Sequence, residues 1–178
     1  LLALSELALA VEQAAITYGP NAVATIGEIK IENASRNVVP GEIHFTIDAR
    51  SGTADILDKL HDAFRKAVTE IAARRGVGIE LIPVWRKEPT VFNAGIVEAI
   101  AQSSRELGYA SRRMMSGAIH DACNLSTVMP AAMIFVPCKD GISHNELEDA
   151  TQADCTAGAN VLLHTVLKLA GIADEKKG

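Results

Sequence analysis

The chain has 178 residues, of which 48% are hydrophobic and 22% charged, with a formal net charge of -5 at pH 7. The two signs are interspersed, so there is no basic stripe to neutralise phosphates, and no apolar run approaches the roughly eighteen residues of a membrane helix; nucleic-acid and membrane partners are both disfavoured. Cys123, Cys138 and Cys155 are scattered and include no Cys-x-x-Cys pair, which argues against a disulfide framework or a structural zinc knuckle and fits a reducing cytoplasm.

The first residue is not methionine and no basic segment precedes it. Leu1-Leu2-Ala3-Leu4 therefore reads as the start of an amphipathic helix rather than a signal peptide, and the chain is expected to derive from something longer. Leu4, Leu7, Ala8, Val11 and Ala15 recur at helical spacing until Gly19-Pro20, which predicts a first helix over residues 2 to 17. Residues 23 to 31 are β-rich. Residues 42 to 50 alternate, with Ile43, Phe45, Ile47 and Ala49 on one face and Glu42, His44, Thr46, Asp48 and Arg50 on the other. Between them residues 33 to 41 carry the Asn, Ser, Pro and Gly of a connection between antiparallel strands.

A long helix follows, marked by Ile56, Leu57, Leu60, Ala63, Phe64, Ala67, Val68 and Ile71 and ending near Arg75-Gly76. Val77, Ile79 and Leu81 then predict another alternating strand. The order α-β-β-α-β is that of a ferredoxin-like unit lacking its first strand. Past Lys87-Glu88-Pro89 the pattern changes, so a boundary is placed there, with one domain over residues 1 to 88 and a second over 89 to 178. The second is expected to hold a helix capped by Asn93 and running to Leu107-Gly108, a turn at Ser116-Gly117-Ala118 opening a short helix, a buried strand from Ala132 to Val136, and a last helix from Ala150 to Ala170. Together these read as the tail of an α/β sheet.

Several side chains could carry chemistry. Arg50 offers a planar fork of donors suited to a carboxylate and Asn37 an amide donor, although Arg50 could equally pair with Asp48 or a helix carboxylate. Gly117 would let bare backbone amides near Ala118 approach an anionic ligand at a helix start. His120 and Asp121 could form an acid/base pair, or Asp121 could simply match the helix dipole. His144, in the loop Gly141-Ile142-Ser143-His144-Asn145-Glu146 after an apolar strand, is placed as a metal ligand or catalytic base, with a solvated loop histidine as the plain alternative. His44, His61 and His164 read as structural, and Glu146, Glu148, Asp149 and Asp154 as capping and solubility features.

Four motifs in order carry a resemblance over essentially the whole chain. They are Asn37-Val38-Val39-Pro40-Gly41-Glu42, Asp48-Ala49-Arg50, Ser116-Gly117-Ala118-Ile119-His120-Asp121-Ala122, and residues 135 to 146. They resemble the family of N-carbamoyl-L-amino-acid hydrolases, allantoate amidohydrolases and β-ureidopropionases, relatives of aminoacylases and dimetal exopeptidases. The resemblance implies a catalytic domain with two divalent metals (Zn, Mn or Co), interrupted by a ferredoxin-like lid domain that also forms a homodimer. This chain matches the later part of the lid and the closing segment of the catalytic domain.

By the same resemblance His144 is the last metal ligand, Asn37 and Arg50 grip the carboxylate of a small anionic N-carbamoyl substrate, and Gly117, Ala118 and His120 belong to a loop contacting it. No catalytic base matches: the other ligands, the bridging aspartate, the glutamate base and a lid histidine would lie upstream of Leu1, so the chain alone is expected to be inactive. Ile119 stands where the family turn usually has a second glycine. Two other readings remain open at this stage: a non-catalytic dimerisation or binding module, and a hydrolase of N-acyl amino acids or dipeptides.

Overall fold

The computed structural model describes residues 1–171, which divide into two compact units, Leu1–Pro89 and a second that begins at Thr90. The first contains α1 (Leu2–Tyr18), β1 (Ala22–Ile31), β2 (Ile43–Ser51) and α2 (Ala54–Arg75). On α1 the buried residues Leu4, Leu7, Val11, Ala14 and Ala15 form one stripe, and Gly19, at φ 81° and ψ -162°, ends the helix in a positive-φ conformation that a side chain would oppose. On α2, Leu60, Phe64, Val68 and Ile71 form the matching stripe, and Gly76 at φ 63° donates its N–H to the Ala72 carbonyl. Asp55 in the first turn and Arg74 and Arg75 in the last complement the helix dipole.

The two strands make an antiparallel hairpin with Val23 opposite Arg50, Ile26 opposite Ile47 and Ile29 opposite Phe45. The register shifts between Ile26 and Glu28, so Gly27 is an extra residue on β1. The bulge lets Ile26 and Ile29, three residues apart, both stand opposite inward-facing partners on β2. Phe45, Ile47 and Ala49 pack on the cluster made by the helix stripes, as the alternation of β2 predicts, while His44, Thr46, Asp48 and Arg50 face outward. Leu7 and Leu60, each fully buried, lie at its centre.

One expectation fails here. Residues 77 to 81 are not a strand: Ile79 and Leu81 pack against the same cluster, but among the described residues no ladder joins them to the hairpin, and the sheet has two strands only. Alternation reports which side chains face a core, whereas a strand also needs a hydrogen-bonded neighbour. The ion pair of Arg86 with Asp58 ties the end of this segment to α2, and Glu88, two residues on, takes the same guanidinium.

The second unit contains α3 (Ala94–Glu106), the short α4 (Asp121–Leu125), a single 3-10 turn at Lys139–Gly141 and α5 (Gln152–Ala170). Asn93 caps α3 as expected, its Oδ1 accepting the Ile96 N–H at 3.0 Å, and its own N–H donates to the Ala131 carbonyl at 3.0 Å. Thr151 and Asp154 make reciprocal contacts at the start of α5, with the Asp154 N–H 3.1 Å from Thr151 Oγ1 and the Thr151 hydroxyl 2.5 Å from Asp154 Oδ2. α3 packs on α5, burying Ser103, Ser104, Val161 and Thr165.

Residues 132 to 136 correct a second expectation. They are not a buried strand: Phe135 is 49% exposed and no ladder pairs these residues with any other described residue. Instead Val136 is set hard against α5, where its Cγ1 would lie 2.5 Å from a Cβ added to Gly158. An apolar run reads as a strand covered on both faces, and here α5 supplies contact at Val136 without a paired neighbour. No described helix is long and apolar enough to cross a membrane.

Candidate functional site

In the first unit the candidate residues sit on the hairpin. Arg50 lies near the end of β2, opposite Val23, and Asn37 lies in the connection at the other end. From Ile43 to Arg50 the strand advances by about 23 Å, at ~3.3 Å per residue. The hairpin therefore does not assemble the two into one donor set. Asn37 Oδ1 accepts the Ser35 hydroxyl at 3.0 Å.

Arg50 is bound to Asp48, two residues back on the same face. Its Nη2 donates to Asp48 Oδ2 at 2.6 Å and its Nε to Oδ1 at 3.1 Å. Hydrogen bonding to the guanidinium holds the Asp48 carboxyl below its ordinary range and raises Arg50 in turn. Both side chains are about half exposed, so the pair is solvent-screened. Of the two readings the sequence left open for Arg50, the pair with Asp48 is present, and a carboxylate ligand would have to share or displace it.

Beside the connection, His44 Nε2 lies 3.1 Å from Glu42 and 4.0 Å from Glu32, whose carboxylate also takes Lys30 at 2.5 Å. The ammonium makes this an ion-pair cluster, in keeping with a structural role for His44.

In the second unit the turn at residues 116 to 120 is closed on itself. Ser116 Oγ donates to the Ala118 carbonyl at 2.8 Å and accepts the Ala118 N–H at 3.2 Å. The expected bare amide at Ala118 is thus already engaged, because a serine two residues back competes for it. Around Gly117 nothing lies within 4 Å of where a Cβ would be, so within this unit no close approach requires glycine. Ile119, 55% exposed, strains nothing there. His120 caps α4, its Nδ1 accepting the Ala122 N–H at 3.2 Å. In a neutral ring that leaves the proton on Nε2, the edge that could donate to a ligand.

The loop from Cys138 to Asp149 is braced from within. Lys139 N–H donates to the Asp149 carbonyl at 2.7 Å, and Glu148 N–H to the Asn145 carbonyl at 2.9 Å. The Asn145 side chain takes the Leu147 N–H at 2.9 Å. Asp140 (φ 55°), Gly141 (φ 70°) and His144 (φ 58°) are all left-handed. His144 Nδ1 lies 3.1 Å from Ser143 Oγ, and its backbone N–H donates to Glu148 Oε2 at 2.8 Å. The other carboxylate oxygen of Glu148 is 3.9 Å from Cys138 Sγ. Glu148 is the residue that composition missed: the acidic cluster reads as capping, which Asp154 fulfils, whereas Glu148 works inside the His144 loop. Its signal is a carboxylate four residues past a histidine, too common a spacing to single out.

Among the described residues, no three His, Cys, Asp or Glu side chains come together in a way that could hold a metal ion. His144 fits as one imidazole donor, with Nδ1 turned to the Ser143 hydroxyl and Nε2 as the edge for a ligand. A metal centre would need further donors, and the described residues alone do not fit one.

Comparison with known proteins covers nearly the whole chain. An N-carbamoyl-L-amino-acid amidohydrolase from Rhizobium meliloti is 37% identical over 173 residues, which is 97% of this chain but 42% of that protein. An allantoate amidohydrolase from Bacillus subtilis is 30% identical over 146 residues, 82% of this chain and 35% of that one. A hydantoinase/carbamoylase family amidase from Burkholderia ambifaria superimposes with a TM-score of 0.90 at 40% identity, covering 98% of this chain and 42% of that one. The chain thus spans well under half the length of these relatives. With residues 5–168 matching its profile, the chain belongs to peptidase family M20/M25/M40.

Proposed function

We propose that the chain serves as part of a metal-dependent amidohydrolase that cleaves the carbamoyl C–N bond of small N-carbamoyl-L-amino acids or of allantoate. The observation that carries this is the 37% identity, across 97% of the chain, to a protein named for that substrate class. On this reading the first unit is the lid and dimerisation domain, a ferredoxin-like fold in outline, and the second is the closing part of the catalytic domain. Two divalent metals would supply Lewis acidity and an activated water. Toward that centre this chain would contribute the His144 imidazole, while Asn37 and Arg50 would bind the substrate carboxylate and the turn that holds Gly117, Ala118 and His120 would add contacts to the substrate.

The separation of Asn37 from Arg50 supports the homodimer. A ligand a few ångströms across could draw on both most directly if a second copy supplied one of them.

The test is a panel of carbamoyl, acetyl and formyl amino acids, allantoate and dipeptides, assayed on the native product after its intact mass is measured. Hydrolysis confined to ureido substrates, in a product well above the 18.9 kDa of this chain, fits the proposal. A stable dimer of 18.9 kDa chains without metal or hydrolysis would instead identify a binding module, and preference for acetyl or peptide bonds would reassign the substrate. Two variants test the residues. His144→Ala should deplete bound metal, and full occupancy would sink its assignment. Arg50→Lys should lose most activity on carboxylate-bearing substrates, because an ammonium cannot reproduce a bidentate fork.

A further inference from the structure

We propose that Glu148 is the positioning residue of His144, its carboxylate holding the His144 backbone in the left-handed conformation that aims the imidazole. Positive φ is uncommon outside glycine, and although histidine adopts it more readily than most residues, it is kept there by the contacts around it. Here the contacts are specific. The His144 N–H, at φ 58°, ends on Glu148 Oε2 at 2.8 Å, and the Ser143 hydroxyl meets the ring at 3.1 Å.

Glu148 is itself turned back over the loop by its own N–H on the Asn145 carbonyl at 2.9 Å, and the next residue, Asp149, closes the base of the loop by accepting the Lys139 N–H at 2.7 Å. Its second oxygen faces Cys138 Sγ at 3.9 Å, so one carboxylate spans the loop from its first residue to its histidine. Without it the His144 N–H would be left to water and the backbone free to return to the commoner negative-φ region. The ring, fixed to that backbone, would move with it.

The functional meaning of this clamp rests on the reading of His144 as a metal ligand; its geometry does not. The test is amide hydrogen exchange by NMR on the metal-free chain. Glu148→Ala should speed exchange at His144 by about tenfold or more while the α5 amides keep their protection. Glu148→Gln should stay near the unaltered chain, because its side-chain oxygen can accept the same bond.

Equal exchange at His144 in the unaltered chain and in Glu148→Ala overturns the proposal. A loss of protection that spreads to α5 also overturns it, in favour of a general structural role. Because no metal is present, a negative result removes the role of Glu148 and leaves the ligand assignment standing. Unchanged metal content in His144→Ala does the reverse.

Discussion

The contact between Gly158 and Val136 gives a prediction whose sign can be worked out. Gly158 lies in α5, where replacing glycine by alanine ordinarily stabilises a helix by about 1 kcal/mol. Here the new Cβ would fall 2.5 Å from Val136 Cγ1, against an ordinary carbon contact of about 3.5–4.0 Å, so one side must retreat by roughly an ångström. Overpacking of this kind costs about 1–3 kcal/mol, and the clashing group is the stub of a β-branched side chain with little freedom to turn away. The net effect of Gly158→Ala is therefore expected to be neutral to destabilising by about 2 kcal/mol, where an unobstructed helix position would gain.

A double-mutant cycle separates the two contributions. Val136→Ala removes Cγ1, so Gly158→Ala made in that background should recover its helix gain, leaving a coupling between the sites equal to the clash itself, about 1–3 kcal/mol. The assay is urea unfolding followed by hydrogen exchange of α5 amides, since Trp85, the one tryptophan, lies in the first unit. A Gly158→Ala chain stabilised by the full helix increment, with no coupling to Val136, would refute the reasoning and mean that residues 132 to 136 are not docked on α5.

Three further outcomes follow from the first unit and the caps. Glu6 takes both Arg74 and Arg75, and their hydrogen bonds hold its carboxyl down at about 2, from an ordinary 4.5. A depressed carboxylate stabilises the fold above its unfolded value and loses that contribution as pH falls from about 4.5 to about 2. Unfolding midpoints measured across that window should drop less in Glu6→Gln than in the unaltered chain, and identical slopes would exclude the pair as a source of acid sensitivity. Leu60→Ala, at a fully buried position in the cluster that also holds Leu7, should cost about 2–5 kcal/mol in the urea transition followed by exchange of the α2 amides, with less than ~1 kcal/mol indicating a core that collapses into the space. Asn93→Ala should remove about 0.5–2 kcal/mol from the second unit, read as faster exchange in the first turn of α3, and Asn93→Asp should keep most of it.

The helices and the hairpin were legible because each is specified by nearby residues: a stripe at helical spacing, a strict alternation, a glycine or an asparagine at an end. The bounds of α1, β1, β2, α2, α3 and α5 fall within a few residues of those read from periodicity. Residues 77 to 81 and 132 to 136 failed for one shared reason, since apolar pattern records burial while strand pairing depends on residues distant in sequence. The candidate site divides along the same line. His144 could be picked out from its loop and its place after an apolar run, but the bonds from its backbone to Glu148 and from Arg50 to Asp48 depend on side-chain conformations that no spacing rule supplies.

Those two bonds have opposite consequences for binding. The Glu148 carboxylate takes a backbone N–H of His144 and leaves Nε2 of the ring as the edge for a ligand, so it organises the candidate donor without using it. The Asp48 carboxylate takes the guanidinium itself, the same group a carboxylate substrate would need. Because the second pair is half exposed and solvent-screened, its hold on Arg50 is modest, on the order of 1 kcal/mol or less, and a ligand making two charge-assisted bonds could displace it. On the proposed function, Asp48 therefore occupies the anion site in the absence of substrate and orients the fork along the strand face.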